Sequence, residues 1–335
     1  MNAGVGERSS ADYLDALSRG DRRAAQAVVE RLRREGMSPL DVMTQVIAPA
    51  QYRVGELWAD DSWSVAQEHA ATAVSESVLA VLTADTEAPG LSGAPVVVSC
   101  VEQEWHALPA GLVAAHLRAA GIPVSYLGAN SSADQLVRHV HELGPRAVAL
   151  SCSLGASLPR VRRQIEAVRA TGTPVIVGGS AFDPAGRRAA TLGATAYAAT
   201  GALAVPAVQG LPRAVPPADP LVHPGADEAV IVQAEREAIA ANIRRRVFAA
   251  HPSDDPVAET SGWRKALTDH LPHLVGAVAG ALVADDATVL DDAVTWLDHV
   301  LSHRAAPSGL TDELVQALAA ELREHPVAAR LLTRA

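Results

Sequence analysis

Aromatic residues are scarce in this chain of 335 residues, which holds two Phe, four Tyr and five Trp. Ala, Val and Leu supply nearly all of the 49% hydrophobic content, so each tryptophan carries more weight as a candidate binding residue. Cysteine is scarcer still. Cys100 and Cys152 both fall at the ends of apolar runs, and two thiols do not make a disulfide framework. No uninterrupted apolar run approaches the roughly 18 residues of a membrane span. The opening Met1-Asn2-Ala3-Gly4-Val5-Gly6-Glu7-Arg8 has no apolar signal core. The formal charge of −10 argues against nucleic acid as a direct partner. The densest basic cluster, Arg244-Arg245-Arg246, is short and reads by default as a solvated helix face. A cytoplasmic protein with no membrane or nucleic-acid partner is expected.

What is present divides the chain into helical, alternating and again helical parts. Residues 10 to 86 read as four helices. Ser10-Ala11-Asp12 is the expected cap of the first, and Gly20-Asp21 starts a second running to Arg34. Ser38-Pro39-Leu40-Asp41 is an N-cap with proline at the first helical position, opening a third. Val65, Thr72 and Leu79 share a face of a fourth, from Ser64 to Thr83. Glu87 to Gly93 is a linker by composition. Apolar strands at 95–100, 123–127, 146–151, 174–177 and 195–199 then alternate with helical stretches, which predicts a doubly wound parallel sheet of five strands. Gly121, Gly144, Gly172 and Gly193 stand where the intervening helices must stop. A Pro-rich stretch follows, and helices at about 226–250, 258–283, 286–304, 311–324 and 326–334 complete the chain. The predicted plan is a four-helix bundle (1–90), a flavodoxin-like α/β domain (91–205), a Pro-rich linker laid over the surface (206–225) and a helical domain (226–335).

Glu104-Trp105-His106-Ala107-Leu108-Pro109 follows the first strand, at the edge where open α/β sheets bind ligands. A histidine there, with a carboxylate two residues earlier to fix its tautomer, has the makings of a metal ligand with a supporting partner. Most loop histidines are simply solvated, so the weight comes from company. Ser151-Cys152-Ser153-Leu154 follows the third strand and Gly178-Gly179 the fourth, and their small size leaves a slot between sheet and helices. Upstream, Trp58 is followed by nine residues and then Glu68-His69. A ring to pack and a carboxylate for hydroxyls suit an adenine-sized ligand, although a core tryptophan and a surface Glu-His pair would account for any one of these residues. Trp63, inside the loop, is assigned to the core.

His106, Ser151 to Leu154 and Gly178-Gly179 together resemble the cobalamin-binding Rossmann domain, whose signature is Asp-x-His-x-x-Gly, then Ser-x-Leu, then Gly-Gly. The resemblance implies that His106 is the lower cobalt ligand, with Glu104 on its imidazole. It also implies a cofactor site that includes Trp105, Ser151, Ser153, Leu154, Gly178, Gly179 and Tyr197. Two departures are Glu104 where Asp is usual and Pro109 where Gly is usual. The spacing from Trp58 to Glu68-His69 is similar to a motif of the light-responsive cobalamin-dependent regulators of the CarH type, where it covers the upper face of adenosylcobalamin. Those regulators carry a second histidine where this chain has Ala59, and a DNA-binding domain before the bundle, where only about ten residues are read here.

The order of bundle, cobalamin domain and helical domain resembles the photocobilins, which pair cobalamin with a bilin. That resemblance implies biliverdin as a second chromophore, held by Arg244, Trp263, His270, His273, Trp296 and His299. No cysteine follows Cys152, so the bilin would lack a thioether bond. A solvated face, a metal site or a helical homo-oligomer interface are the competing readings of those residues. Three functions compete: a light sensor binding adenosylcobalamin, which is a signalling protein and not an enzyme; a corrinoid shuttle of a methyltransferase system; and a mutase subunit. The last lacks a barrel to hold a substrate radical.

Overall fold

A computed structural model describes residues 3–84, 93–253 and 261–333; the expected linker at 87–93 lies outside these except for Gly93. The N-terminal helices are α1 (Ala3–Ser18), α2 (Arg22–Arg34), α3 (Pro39–Val42), α4 (Ala48–Ala59) and α5 (Val65–Ala84), with a π-turn at Met43–Ile47 joining α3 to α4. Asp21 accepts the Ala24 amide and Ser38 accepts that of Asp41, so these two caps form as expected. The cap expected at Ser10 does not form. The first helix already runs from Ala3, and the Ser10 hydroxyl instead donates to the Val46 carbonyl at 3.3 Å. Pro49, at the start of α4, has no amide to offer the preceding turn, and the ladder widens to the π-turn there. Tyr13, Leu17, Leu32, Met43 and Ile47 are fully buried and form the core of this bundle, with Trp63 packed at its margin.

The strands are β1 (Val96–Cys100), β2 (Val124–Gly128), β3 (Ala147–Ser151), β4 (Val175–Gly178) and β5 (Ala196–Tyr197). All pair in parallel, in the order β2-β1-β3-β4-β5. β1 and β3 are buried along their whole length, as sheets covered on both faces require. Helix α6 (Ala107–Ala119) and α10 (Gly201–Gly210) cover one face. The other carries α7 (Ala133–Leu143), α8 (Leu158–Arg169) and α9 (Arg187–Thr191). Gly121, Gly144, Gly172 and Gly193 all take positive φ where the helices end. The chain reverses direction across the sheet between β1 and β3, and ligand crevices form beyond the carboxyl ends of strands at such a point.

The Pro-rich linker differs from expectation at its start. Residues 201–210 are helical with Pro206 inside, because burying Ala204 and Val208 outweighs the lost amide bond. From Leu211 onward the chain is extended and tied down by arginines: Arg146 donates to Pro212 O (2.7 Å), Arg162 to Asp219 O (2.5 Å) and Arg169 to Pro216 O (3.1 Å).

Helices α11 (Gly225–Ala250), α12 (Gly262–Ala284), α13 (Thr288–Ser302), α14 (Leu310–Glu321) and α15 (Pro326–Leu332) complete the fold. By length and composition α12 could cross a membrane, but 72% of its apolar window is buried inside the protein, where it serves as the central core helix. It packs directly on the loop after β3. A Cβ at Gly280 would lie 2.2 Å from Gly155 O, and one at Gly276 would lie 2.9 Å from Ala156 Cβ. Buried Arg188 reinforces this junction, donating to Asp286 Oδ2 and Thr288 Oγ1 at 2.7 Å each.

Candidate functional site

The loop after β1 is held in place by its backbone. The Val101 amide donates to Ser151 O (3.1 Å), and the Asn130 amide donates to Glu104 O (3.0 Å). This turns Glu104 inward, where its side chain is 0% exposed, and leaves His106 outward at 59%. One carboxylate oxygen, Oε1, accepts the His106 amide (3.0 Å) and meets its Nδ1; the other, Oε2, accepts the Ser153 amide (2.7 Å). Burial works to raise the Glu104 pKa, but the bonds from His106 and from Ser153 outweigh it, and the carboxyl stays below its ordinary range. The bond to Glu104 raises the His106 pKa against the effect of burial, and the charge of Glu68 adds to the rise. With Nδ1 engaged, Nε2 is the ring nitrogen left to take a metal.

Beside this dyad, between the sheet and α6 and α10, lies a cavity of about 640 Å³ whose lining includes Ser151, Gly178, Gly179, Pro109 and Thr200. Only glycine fits at its floor. A Cβ at Gly178 would come within 2.4 Å of Ala198 O, and one at Gly179, where φ is +106°, within 2.3 Å of Cys152 O. Pro109, the departure from the expected Gly, forms part of this wall.

The third part of the site lies across two regions distant in sequence. Trp58 stacks on Trp296 with centroids 5.9 Å apart and planes at 22°. Its edge meets His270 at 5.3 Å, and His270 meets Trp296 at 5.1 Å. The Arg304 guanidinium lies 5.1 Å from the Trp58 ring centroid, and its two Nη atoms donate to Trp58 O (2.7 Å) and Ala59 O (2.9 Å). Glu68 accepts from Thr72 Oγ1 at 2.9 Å, while His69 is exposed and only 3.5 Å from Glu68 Oε2.

Two stretches of the chain, residues 94–209 and residues 10–83, each match a family described as B12 binding domain. This supports cobalamin as the cofactor. The chain is also 34% identical over 149 residues, 43% of its length, to the HTH-type transcriptional repressor CarH of Myxococcus xanthus, and the match spans 49% of that protein. The chain thus spans about half the length of this curated relative. Among solved structures it is similar to the monomethylamine corrinoid protein of Methanosarcina barkeri, with a TM-score of 0.51 at 18% identity, covering 59% of this chain and 95% of that one. At that identity the likeness shows a shared fold.

The residues at the sheet edge, within the stretch 94–209, suit a corrinoid. A histidine with its Nδ1 held by a buried carboxylate offers cobalt a nitrogen, and a glycine-floored cavity opens beside it. Not every residue expected in the site is placed there. Ser153 contributes its backbone amide to Glu104, and its carbonyl accepts from Ser180 Oγ (3.0 Å). Leu154 O accepts from Cys152 Sγ at 3.4 Å. Trp105 is 68% exposed next to His106. Tyr197 is directed to the opposite face of the sheet, against Phe182 (6.1 Å) and over Gly186, so it is no wall of the cavity.

Among the C-terminal residues, His270, His273 and Trp296 gather near Trp58; the His270 and His273 rings are 6.0 Å apart. His299 pairs with Asp60. Trp263 belongs to a second cluster with Phe248 (5.9 Å), His251 (6.1 Å) and Arg264. Arg244 and its neighbours Arg245 and Arg246 lie on α11, and the arginine on Trp58 is Arg304. The sequence signal for Arg304 was its place directly after His303 in the run that begins at Trp296. No local pattern pointed to Thr200 or to the side of α6 that walls the cavity.

Proposed function

We propose that this protein is a light sensor that binds adenosylcobalamin and signals through the packing between its N-terminal bundle and its C-terminal helices. The observations that carry this reading are the contact of Trp58 with Trp296 and His270, and the Glu104–His106 dyad at the sheet edge. His106 Nε2 would hold cobalt from below, with Glu104 fixing the tautomer, and the cavity floored by Gly178 and Gly179 would take the nucleotide tail. Trp58 would pack on the adenosyl group, with Glu68 at its hydroxyls. Bound adenosylcobalamin would supply a cobalt–carbon bond that light cleaves. Ala59 offers no lone pair for cobalt and is buried. The partial likeness to a transcriptional repressor of the CarH type supports a regulatory role over an enzymatic one.

A second chromophore, biliverdin held without a covalent bond, is the finer part of the proposal. It is supported by the meeting of His270, His273 and Trp296, two imidazoles and an indole that suit a planar tetrapyrrole. Trp263 and Arg244 have no part in that cluster and are dropped from it.

The alternative is a corrinoid shuttle, favoured by the shared fold with the Methanosarcina barkeri corrinoid protein. A shuttle must leave its upper face open to partner enzymes, and Trp296 and His270 crowd the residue assigned to that face. The deciding experiment is an absorption spectrum of the protein reconstituted with adenosylcobalamin, with and without biliverdin, before and after illumination. A light-driven spectral change with altered hydrodynamic size supports the sensor. Photolysis no faster than for the free cofactor, with no change in size, rejects it. Biliverdin colour retained on a native desalting column and lost under denaturing conditions supports the second chromophore, and loss in both rejects it.

A further inference from the structure

Helix α13 carries His299 and His303 one turn apart, and α4 ends at Asp60 opposite them. His299 Nε2 lies 2.7 Å from Asp60 Oδ1, and the two imidazole centroids are 4.3 Å apart. One ligand atom from each of the three residues lies within 4.8 Å of the others. Side-chain rotation closes that spread to the edge of a tetrahedral shell, roughly 3.4 Å for metal–nitrogen bonds near 2.1 Å. Two histidines at i and i+4 with a carboxylate from another element form a donor set that suits zinc and its d-block neighbours.

The tautomer of His303 is already set for ligation. Its Nδ1 lies 2.8 Å from the His299 backbone carbonyl, which places the proton on Nδ1 and leaves a lone pair on Nε2. An ion pair between His299 and Asp60 would explain two of the residues. The bond from His303 Nδ1 to the His299 carbonyl holds the third ring beside the pair, although both imidazoles are exposed. That exposure also leaves solvent free to complete the coordination shell.

We propose that Asp60, His299 and His303 form a binding site for a divalent cation of the zinc class, bridging the N-terminal bundle and the C-terminal helices. The site uses neither His106 nor the cavity at the sheet edge, so it stands or falls independently of the cobalamin reading. Its consequence is mechanical. Arg304 already ties α13 to the Trp58 and Ala59 carbonyls, and a metal on the next residue, Asp60, would lock the same junction.

The test uses the full chain, stripped with a chelator and then titrated with zinc against a chromogenic competitor, alongside His303→Ala and Asp60→Asn. The substituted positions are exposed or half-buried, so both variants keep the fold, which circular dichroism verifies. One zinc per chain is expected. Its affinity should drop by at least about tenfold in each variant, and zinc should raise the melting temperature of the wild type but not of His303→Ala. Equal zinc affinity in all three proteins, or no binding by the wild type at roughly 100 μM zinc, overturns the proposal.

Discussion

Trp58 in the last turn of α4 stacks on Trp296 of α13, 238 residues further along the chain, with ring planes 22° apart. The pair joins the residue assigned to the upper face of the cofactor to the helical region whose role the sequence left most open. A change in what Trp58 touches cannot leave Trp296 and His270 unaffected, because close-packed side chains share one jigsaw. Under the proposed light-sensing reading, this contact would carry an event at the cofactor to α12 and α13.

Replacing His106 with alanine removes the imidazole that Glu104 orients. Cobalamin affinity should fall, or the bound spectrum should change to that of the cofactor ligated by its own base. Glu104→Gln, which keeps the shape of the buried side chain, should have a smaller effect in the same direction. Spectra and affinities identical to wild type in His106→Ala would remove the histidine from the cobalt.

Truncating Trp58 should erode the preference for adenosylcobalamin over methylcobalamin. The loss should amount to about 1–3 kcal/mol, the usual worth of one aromatic stacked on a base. Trp296→Ala should shift the ratio in the same direction by less, since it acts through Trp58. Competitive titration of both cofactors reads the ratio, and an unaltered ratio in Trp58→Ala makes that residue a packing element only.

Acidification should weaken the fold through His270. Burial, reinforced by His273 and opposed by Asp269, with Arg304 and Lys265 also contributing, pushes its pKa down to about 4. In the unfolded chain the same group titrates near ~6.5. Between those values the unfolded state binds the extra proton, so stability present above pH ~6.5 is lost as pH falls towards 4. The loss is bounded by about 3 kcal/mol. Urea denaturation at several pH values should show a shallower decline for His270→Gln; identical curves would place the proton elsewhere, with His273 the first candidate, as burial lowers its pKa too.

Gly280→Ala should destabilise the junction between α12 and the loop after β3. Its new Cβ would sit 2.2 Å from Gly155 O, a backbone atom that cannot swing aside. Overpacking of this kind costs about 1–3 kcal/mol, visible as a lowered midpoint in denaturation. A midpoint equal to wild type would mean that the two elements separate without penalty.

The sequence alone was enough to determine the alternating elements of the sheet and its binding edge. Apolar strands alternating with helical stretches, each helix closed by a glycine, dictate a parallel doubly wound sheet, because those signals are local and short-range. Glu104 and His106 were legible for the same reason, two residues apart on one loop. The cap at Ser10 was misread because the helix begins at Ala3 and runs through Ser10, whose hydroxyl instead donates to Val46 O. The helix through Pro206 was missed because burying Ala204 and Val208 overrides a local breaker. Tyr197 fell on the wrong face because a strand of two residues is too short to show its alternation. The sorting of the C-terminal residues was beyond local reading altogether. Trp263 and Trp296 look equivalent in sequence, and only the docking of α12 and α13 against the bundle put Trp296 on Trp58 and left Trp263 with Phe248. Contacts between residues more than two hundred positions apart follow from how whole helix faces pack, and no local pattern encodes which of two tryptophans will meet a third.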